Sequence, residues 1–225
     1  MSQKNIVITG GNRGIGLELI RLYRDQGDHV VVCCRQSSAE LDGLGAQVIT
    51  DVDVTQTESL LNAQRQIENL SIDLLINNAG LLTQESIDEF DLAAIERIQR
   101  QFEINTLGPL KVTATFLKQL SAGAKIAMIT SRMGSIEDNT SGSRYGYRMS
   151  KSALNMATKS LSIDLKERDI AVGLYHPGWV QTGMTGFTGH SSPVEAATLL
   201  KQRIEALSME NSGVFFHANG EQLPW

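Results

Sequence analysis

The stretch from Lys4 to Gly27, KNIVITGGNRGIGLELIRLYRDQG, changes character once, across a cluster of glycines. Its first part, KNIVITG, is a short apolar β-rich run, and its second, GIGLELIRLYRDQG, is a longer helical pattern. Strand, glycine turn and helix in that order begin a βαβ unit, and the alternation continues downstream. HVVVCCR is followed by AQVIT and the helical TESLLNAQRQIENL; IDLLINNAG by the long pattern AIERIQRQFEINTLGPLKVTATFLKQL; AKIAMITS by YGYRMSKSALNMATKSLSIDLKER; and IAVGLYHPG closes the series. The strands are nearly all apolar and do not alternate, as expected for strands buried on both faces of a parallel sheet. Right-handed crossovers then put helices on both faces and the ligand crevice at the carboxyl ends of the strands. The expected fold is α/β: a single-domain Rossmann-type doubly wound parallel sheet over residues 1–225, with no linker, repeat or low-complexity tract dividing it.

Composition agrees. The 225 residues are 41% hydrophobic and 20% charged, which is globular usage and rules out disordered and fibrous classes. No run is long enough to cross a bilayer, and the opening MSQKNIVITGG has no signal-peptide core, so the expectation is a cytoplasmic protein. A net charge of −5 argues against a general nucleic-acid or anionic-membrane surface. Cys33 and Cys34 are neighbours in an apolar run, where adjacent side chains point to opposite faces, so they read as small core hydrophobes rather than a disulfide framework.

Small and polar residues collect at the strand ends. The first junction, TGGNRGIG, carries Gly10, Gly14 and Gly16, which let backbone approach a diphosphate where a helix start offers free N–H groups. Its spacing is Gly-x-x-x-Gly-x-Gly, and a tight structural turn is the alternative. NNAG, Asn77–Gly80, ends the fourth strand; its alternative is ordinary turn chemistry. Ser131 follows the fifth strand, and Pro177, Gly178 and Thr182 follow the sixth.

Two tyrosines precede one lysine in YGYRMSKSALN. On a helix, Tyr147 and Lys151 lie one turn apart on one face, whereas Tyr145, six before the lysine, points elsewhere. A phenol is a poor acid or base at neutral pH, and a neighbouring ammonium favours its phenolate. That gives the spacing a chemical purpose. A bare Tyr-x-x-x-Lys is nonetheless more often an ordinary helix face with a solvated charge.

Taken in order, these motifs resemble the short-chain dehydrogenase/reductase family along nearly the whole chain, and within it the branch of C-factor proteins and sniffer-like carbonyl reductases. The resemblance implies a catalytic set of Asn105, Ser131, Tyr147 and Lys151. It implies cofactor contacts from Gly10, Asn12, Arg13, Gly14, Ile15 and Gly16 in the first loop; Arg35, Asp53 and Val54 on the adenine side; Asn78, Ala79 and Gly80; Tyr147 and Lys151; and Pro177, Gly178, Val180 and Thr182 near the nicotinamide. Tyr147 would be the proton donor to a carbonyl, Lys151 would lower its pKa and bind the ribose, and Ser131 would hold the substrate oxygen. Asn105 would hold a water relaying protons from Lys151; a helix cap or kink is its alternative. His176 precedes a proline with no visible partner and reads as structural.

In nicotinamide enzymes of this topology an acid at the end of the second strand marks NAD, and an arginine accommodates the NADP phosphate. Here Cys34 occupies the acid's place and Arg35 follows, with Arg13 a second cation and Ser37 a hydroxyl donor, so NADP(H) is expected over NAD(H). Asp51 is the rival of Asp53, but the family's Asp-Val-Thr pattern selects Asp53. The substrate loop, about 183–192, is short and Gly-rich, with Met184, Phe187 and Trp179 as apolar contacts to a small carbonyl compound. No metal is expected, and the oligomeric state expected is a monomer or weak homodimer. A C-factor-like signalling role, with nucleotide bound and little turnover, is the second reading.

Overall fold

Among the described residues, 3–225 of a computed structural model, the apolar runs form a sheet of seven parallel strands. They are β1 (Asn5–Thr9), β2 (His29–Cys33), β3 (Gln47–Ile49), β4 (Ile72–Asn77), β5 (Leu120–Ile129), β6 (Ala171–His176) and β7 (Phe215–His217), in the spatial order β3-β2-β1-β4-β5-β6-β7. The strand order reverses between β1 and β4, which places the ligand crevice of such a sheet at the ends of those two strands. Their register aligns Thr9 with Asn77, so both strands stop at the same level.

The helices are α1 (Gly14–Asp25), α2 (Ala39–Asp42), α3 (Thr57–Gln66), α4 (Leu92–Phe102), α5 (Gly108–Phe116), α6 (Tyr145–Asp164) and α7 (Pro193–Glu205). Each strand feeds two cores. Ile6, Ile8, Val30 and Val32 face α1 and α7 through Leu19, Ile20, Tyr23, Leu200 and Ile204. Val7, Val31 and Cys33 face α3, α5 and α6 through Leu60, Val112, Phe116 and Leu154. Val30, Val31 and Val32 are all fully buried, each side chain contributing roughly 2 kcal/mol, which is why the strand reads as unbroken apolar sequence. Cys33 and Cys34 are divided between the two cores and are free thiols.

Two features depart from the sequence reading. β7 carries no sequence signal, because three residues are too few for a periodic pattern. The long pattern 94–120 is not one helix. α4 ends at Phe102, a π-turn runs from Glu103 to Leu107, and α5 restarts at Gly108. Pro109 has no N–H to offer the Asn105 carbonyl four residues earlier, so the α-helical ladder cannot pass through this point. The wider turn resolves the break and carries Asn105 into the interior, fully buried.

Candidate active site

The glycine loop fits against β4 because it has no side chains. Gly10 has φ +72°, and a Cβ there would lie 2.8 Å from the Ala79 Cα; a Cβ on Gly16 would lie 2.4 Å from the Gly10 carbonyl oxygen. Asn78 fastens the junction, donating from Nδ2 to the Gly10 and Thr9 carbonyls at 2.8 and 3.2 Å. The Thr9 hydroxyl accepts from the backbone of Asn78 and Ala79. On its other side, Gly14 (φ +59°) has space for a Cβ only 3.3 Å from the Thr182 Cγ2. The TGGNRGIG loop, NNAG and the segment after β6 therefore converge. α1 begins at Gly14 with no side-chain cap, leaving its first N–H groups free toward this cradle. A dinucleotide diphosphate fits such a floor, which is backbone N–H and glycine Cα with a helix dipole behind it.

The adenine side is more solvated. Arg13 and Arg35 are exposed, and Cys34 is buried where an acid was the alternative. The Ser37 hydroxyl donates to Asp42 at 2.5 Å, so its proton is already engaged. Burial pushes the Asp53 carboxyl up, but the Thr55 N–H and hydroxyl bonds, with Arg100 and Arg35 nearby, outweigh it and hold the group below its usual value. Val54 is buried with its Cγ2 against Gly108, where it packs beneath the π-turn.

α6 delivers Tyr147 and Lys151 to the carboxyl end of β5. Tyr147 is 9% exposed and Lys151 4%. The lysine Nζ donates to the Ile129 carbonyl at 2.9 Å and lies 5.8 Å from the Tyr147 ring centroid. Ser131 caps a 3₁₀ turn over Arg132–Gly134, its hydroxyl accepting from Met133 N at 3.2 Å. Gly134 packs so closely on α6 that a Cβ there would lie 2.8 Å from the Lys151 carbonyl carbon. Tyr145 turns away and stacks edge-on against Phe90, centroids 5.0 Å apart. The helix register that selects Tyr147 is therefore the observed one.

The expected effect of Lys151 on the phenol is corrected. Burial pushes Tyr147 up to about 12, with Ser131 acting in the opposite direction, and burial also brings Lys151 down to about 8. The ammonium is aimed at a carbonyl rather than at the phenol oxygen, so desolvation dominates both groups. At neutral pH the pair is a protonated phenol beside a largely protonated amine, which suits an acid.

Asn105 is locked by three bonds. Its Oδ1 accepts from Leu81 N at 2.8 Å, while Nδ2 donates to the Leu81 carbonyl at 2.8 Å and to the Ser150 hydroxyl at 3.0 Å. The side chain thus joins the loop after β4 to the first turns of α6. Beside it lies a group the sequence reading missed. The buried Glu85 carboxylate accepts from the Thr83 hydroxyl (2.6 Å), Gln101 Nε2 (2.9 Å) and the Gly146 N–H (3.1 Å). A carboxylate from a distant loop therefore caps α6, whose own N-cap, Arg144, supplies no side-chain bond. Nothing in the local sequence marks Glu85 as buried.

After β6, Gly178 adopts φ +94° and faces the His217 ring. His176 stacks on His217 at 5.0 Å, and burial, then His217 and Arg132, lower it to about 3. It stays neutral and structural. The Trp179 indole donates to the Thr188 carbonyl at 2.8 Å, closing the loop 179–188 on itself, and Val180 is buried beneath it. Met184 and Phe187 are 45% and 72% exposed at the rim, Phe187 with a left-handed φ of +60°. α7 starts at Pro193 with Ser192 as its cap, so the segment 183–192 between Thr182 and the helix is short. Among the described residues no helix is long and apolar enough to cross a membrane, and no cluster of metal-ligating side chains is found.

The profile of the short chain dehydrogenase family matches residues 4–192. A 1-hydroxy-2-glutathionyl-2-methyl-3-butene dehydrogenase of Rhodococcus sp. is 37% identical over 98% of this chain and 99% of its own. The C-signal protein of Myxococcus xanthus is 43% identical over 68% of this chain and 93% of its own. Among solved structures, an NADPH-bound carbonyl reductase from chicken fatty liver superposes with a TM-score of 0.89 at 28% identity, covering 100% of both chains.

Proposed function

The chain belongs to the short-chain dehydrogenase family and is an oxidoreductase of that family; from this premise we propose that it is an NADPH-dependent carbonyl reductase with Tyr147 as proton donor. The observation that carries the reading is the burial of Tyr147 and Lys151 together beside Ser131, at the end of a strand next to the glycine cradle. When bound, the nicotinamide would supply a hydride to the carbonyl carbon. Tyr147, held protonated by burial, gives its proton to the carbonyl oxygen. Ser131 orients that oxygen and shares the developing negative charge. Lys151 keeps a positive charge near the phenol as it loses the proton and reaches toward the ribose hydroxyls. Asn105 holds the loop after β4 against α6, and its main-chain carbonyl, with no N–H from Pro109, suits the water of a relay.

Gly10, Asn12, Arg13, Gly14, Ile15 and Gly16 take the diphosphate side; Arg35, Asp53 and Val54 the adenosine; Asn78, Ala79, Gly80, Pro177, Gly178, Val180 and Thr182 the nicotinamide side. Arg13 and Arg35 favour the extra phosphate of NADP(H). The chicken carbonyl reductase, with NADPH bound, supports the same choice. Trp179, Met184 and Phe187 on the loop 183–192 and just before it contact a small-molecule substrate. The protein acts in the cytoplasm as a monomer or weak homodimer, which light scattering at micromolar concentration tests; a stable tetramer would contradict it. NADPH oxidation by the purified protein across aldehydes, ketones, diketones and quinones tests the activity, and no turnover with any of them would overturn it.

The likeness to C-signal favours one second reading, a signalling role with bound nucleotide and little turnover. The presence of Asn105, Ser131, Tyr147 and Lys151 together favours the reductase over it.

A further inference from the structure

Just before α6 three successive residues adopt left-handed backbone, Gly142, Ser143 and Arg144, with φ of +63°, +52° and +52°. Left-handed backbone is unfavourable for serine and arginine, and such strain persists only where surroundings impose it. Here they do. The Arg144 N–H donates to the Glu85 carbonyl at 2.7 Å. Arg148 donates to the Gly142 and Ser143 carbonyls at 3.1 and 3.2 Å and to the Ser141 hydroxyl at 2.9 Å. The result is to place the Arg144 guanidinium carbon over the Trp179 ring, 6.0 Å from its centroid.

That placement bridges two walls of the site. Arg144 is the N-cap of α6, three residues before Tyr147, and Trp179 directly follows the Gly178 turn at the end of β6. Among the described residues neither Arg144 nor Arg148 forms an ion pair, although the chain has a net charge of −5. The nearby Glu85 carboxylate is engaged by Thr83, Gln101 and Gly146. Arg148 spends its donors on the loop. Arg144 is left partly buried, its guanidinium carbon 6.0 Å from the indole centroid, with no side-chain hydrogen-bond partner among the described residues. Its planar fork is unspent, and a guanidinium fork matches a carboxylate bidentately.

We propose that Arg144, held on Trp179, is the carboxylate-recognising residue of the substrate site, so that the preferred substrates are carbonyl compounds that also carry a carboxylate. The proposal takes its substrate site from the reductase reading. It assigns no chemical step to Arg144; the residue orients the substrate by its charged end while the carbonyl meets Tyr147 and Ser131.

The test compares 4-carboxybenzaldehyde with its methyl ester, in two arms. Calorimetric binding to the protein saturated with NADP⁺, which cannot reduce either aldehyde, reads the site alone; NADPH oxidation reads turnover. The acid is expected to bind roughly 10-fold tighter than the ester, in line with a partly exposed charge-assisted bond. Arg144→Asn removes the charge and suits left-handed backbone, so it isolates the guanidinium from the strain; the acid-to-ester ratio should fall to about 2-fold or less. Arg144→Lys should recover part of the ratio. Equal binding of acid and ester by the wild type, or an Arg144→Asn ratio unchanged from wild type, would overturn the proposal. Selective binding without turnover of either aldehyde would keep it and count against the reductase reading instead.

Discussion

Glu85 Oε2 accepts a hydrogen bond of 3.1 Å from the backbone N–H of Gly146, 61 residues downstream, and so caps the helix that carries Tyr147. All three of its partners, the Thr83 hydroxyl, the Gln101 amide and the Gly146 N–H, are donors. Gly146 leaves no room to adjust, since a Cβ there would meet Gln101 Nε2 and Ile98 Cα. A glutamine at 85 would turn an N–H₂ toward one of these donors. Glu85→Gln is therefore expected to cost about 1–3 kcal/mol, the penalty for leaving a buried polar group opposed. Urea unfolding followed by circular dichroism measures it, and an unchanged midpoint would contradict the cap.

Lys151 makes stability depend on pH. Burial lowers its ammonium from 10.5 to about 8, so between those values the unfolded chain holds a proton that the folded chain has released. Stability therefore rises as pH increases from about 8 toward 10.5, and below about 8 the cost of burying the charge is carried in full. Tyr147 acts with the opposite sign, because its pKa is raised from 10 to about 12 and stability falls across that window. Lys151→Met should abolish the rise between about pH 8 and 10 while leaving the fall above it. Urea midpoints at several pH values read both slopes; a rise that survives the substitution would assign it to another group.

Much of this was legible because strand burial is written in apolar runs. Val30–Val32, Ile6–Ile8 and Leu74–Ile76 are hydrophobic on both faces, as strands of a parallel sheet covered by helices on each side must be. Tyr147 could be chosen over Tyr145 because helical spacing is a local rule. What the sequence did not reveal is non-local. The Glu85 cap joins residues far apart in the chain, and the π-turn at Asn105 lies between two segments of sound helical pattern. The Tyr147 pKa was misjudged for a similar reason: the nearby charge is visible in the spacing, whereas the depth of burial depends on everything packed around it.

The two exposed arginines set an expectation for the cofactor. Arg35 follows the buried Cys34, and Arg13 caps α1 without using its side chain; among the described residues neither guanidinium has a hydrogen-bond or ion-pair partner, as a ribose-phosphate contact would require. NADPH should bind better than NADH, and Arg35→Ala should reduce the NADPH-to-NADH affinity ratio roughly 10-fold or more, from one charge-assisted contact of about 1.5–3 kcal/mol. Fluorescence titration of both cofactors gives the ratio. Equal wild-type affinities would sink the idea.

The two tyrosines give the sharpest test of mechanism. Tyr147→Phe removes one oxygen and keeps the buried ring, so folding should be largely retained while the proton donor is lost. Its turnover should fall 100- to 10,000-fold, or roughly 3–5 kcal/mol, with cofactor affinity little changed. Tyr145 packs edge-on against Phe90 through its ring, a contact that phenylalanine preserves. Tyr145→Phe should therefore stay within a few-fold of wild type. Ser131→Ala should fall between the two, because the substrate oxygen loses one hydrogen bond but not its proton source. Single-turnover reduction of one carbonyl by all three variants makes the comparison. An inactive Tyr145 variant beside an active Tyr147 variant would mean that the proton comes from the Phe90 side of the helix, and the assignment of Lys151 and Ser131 would fall with it.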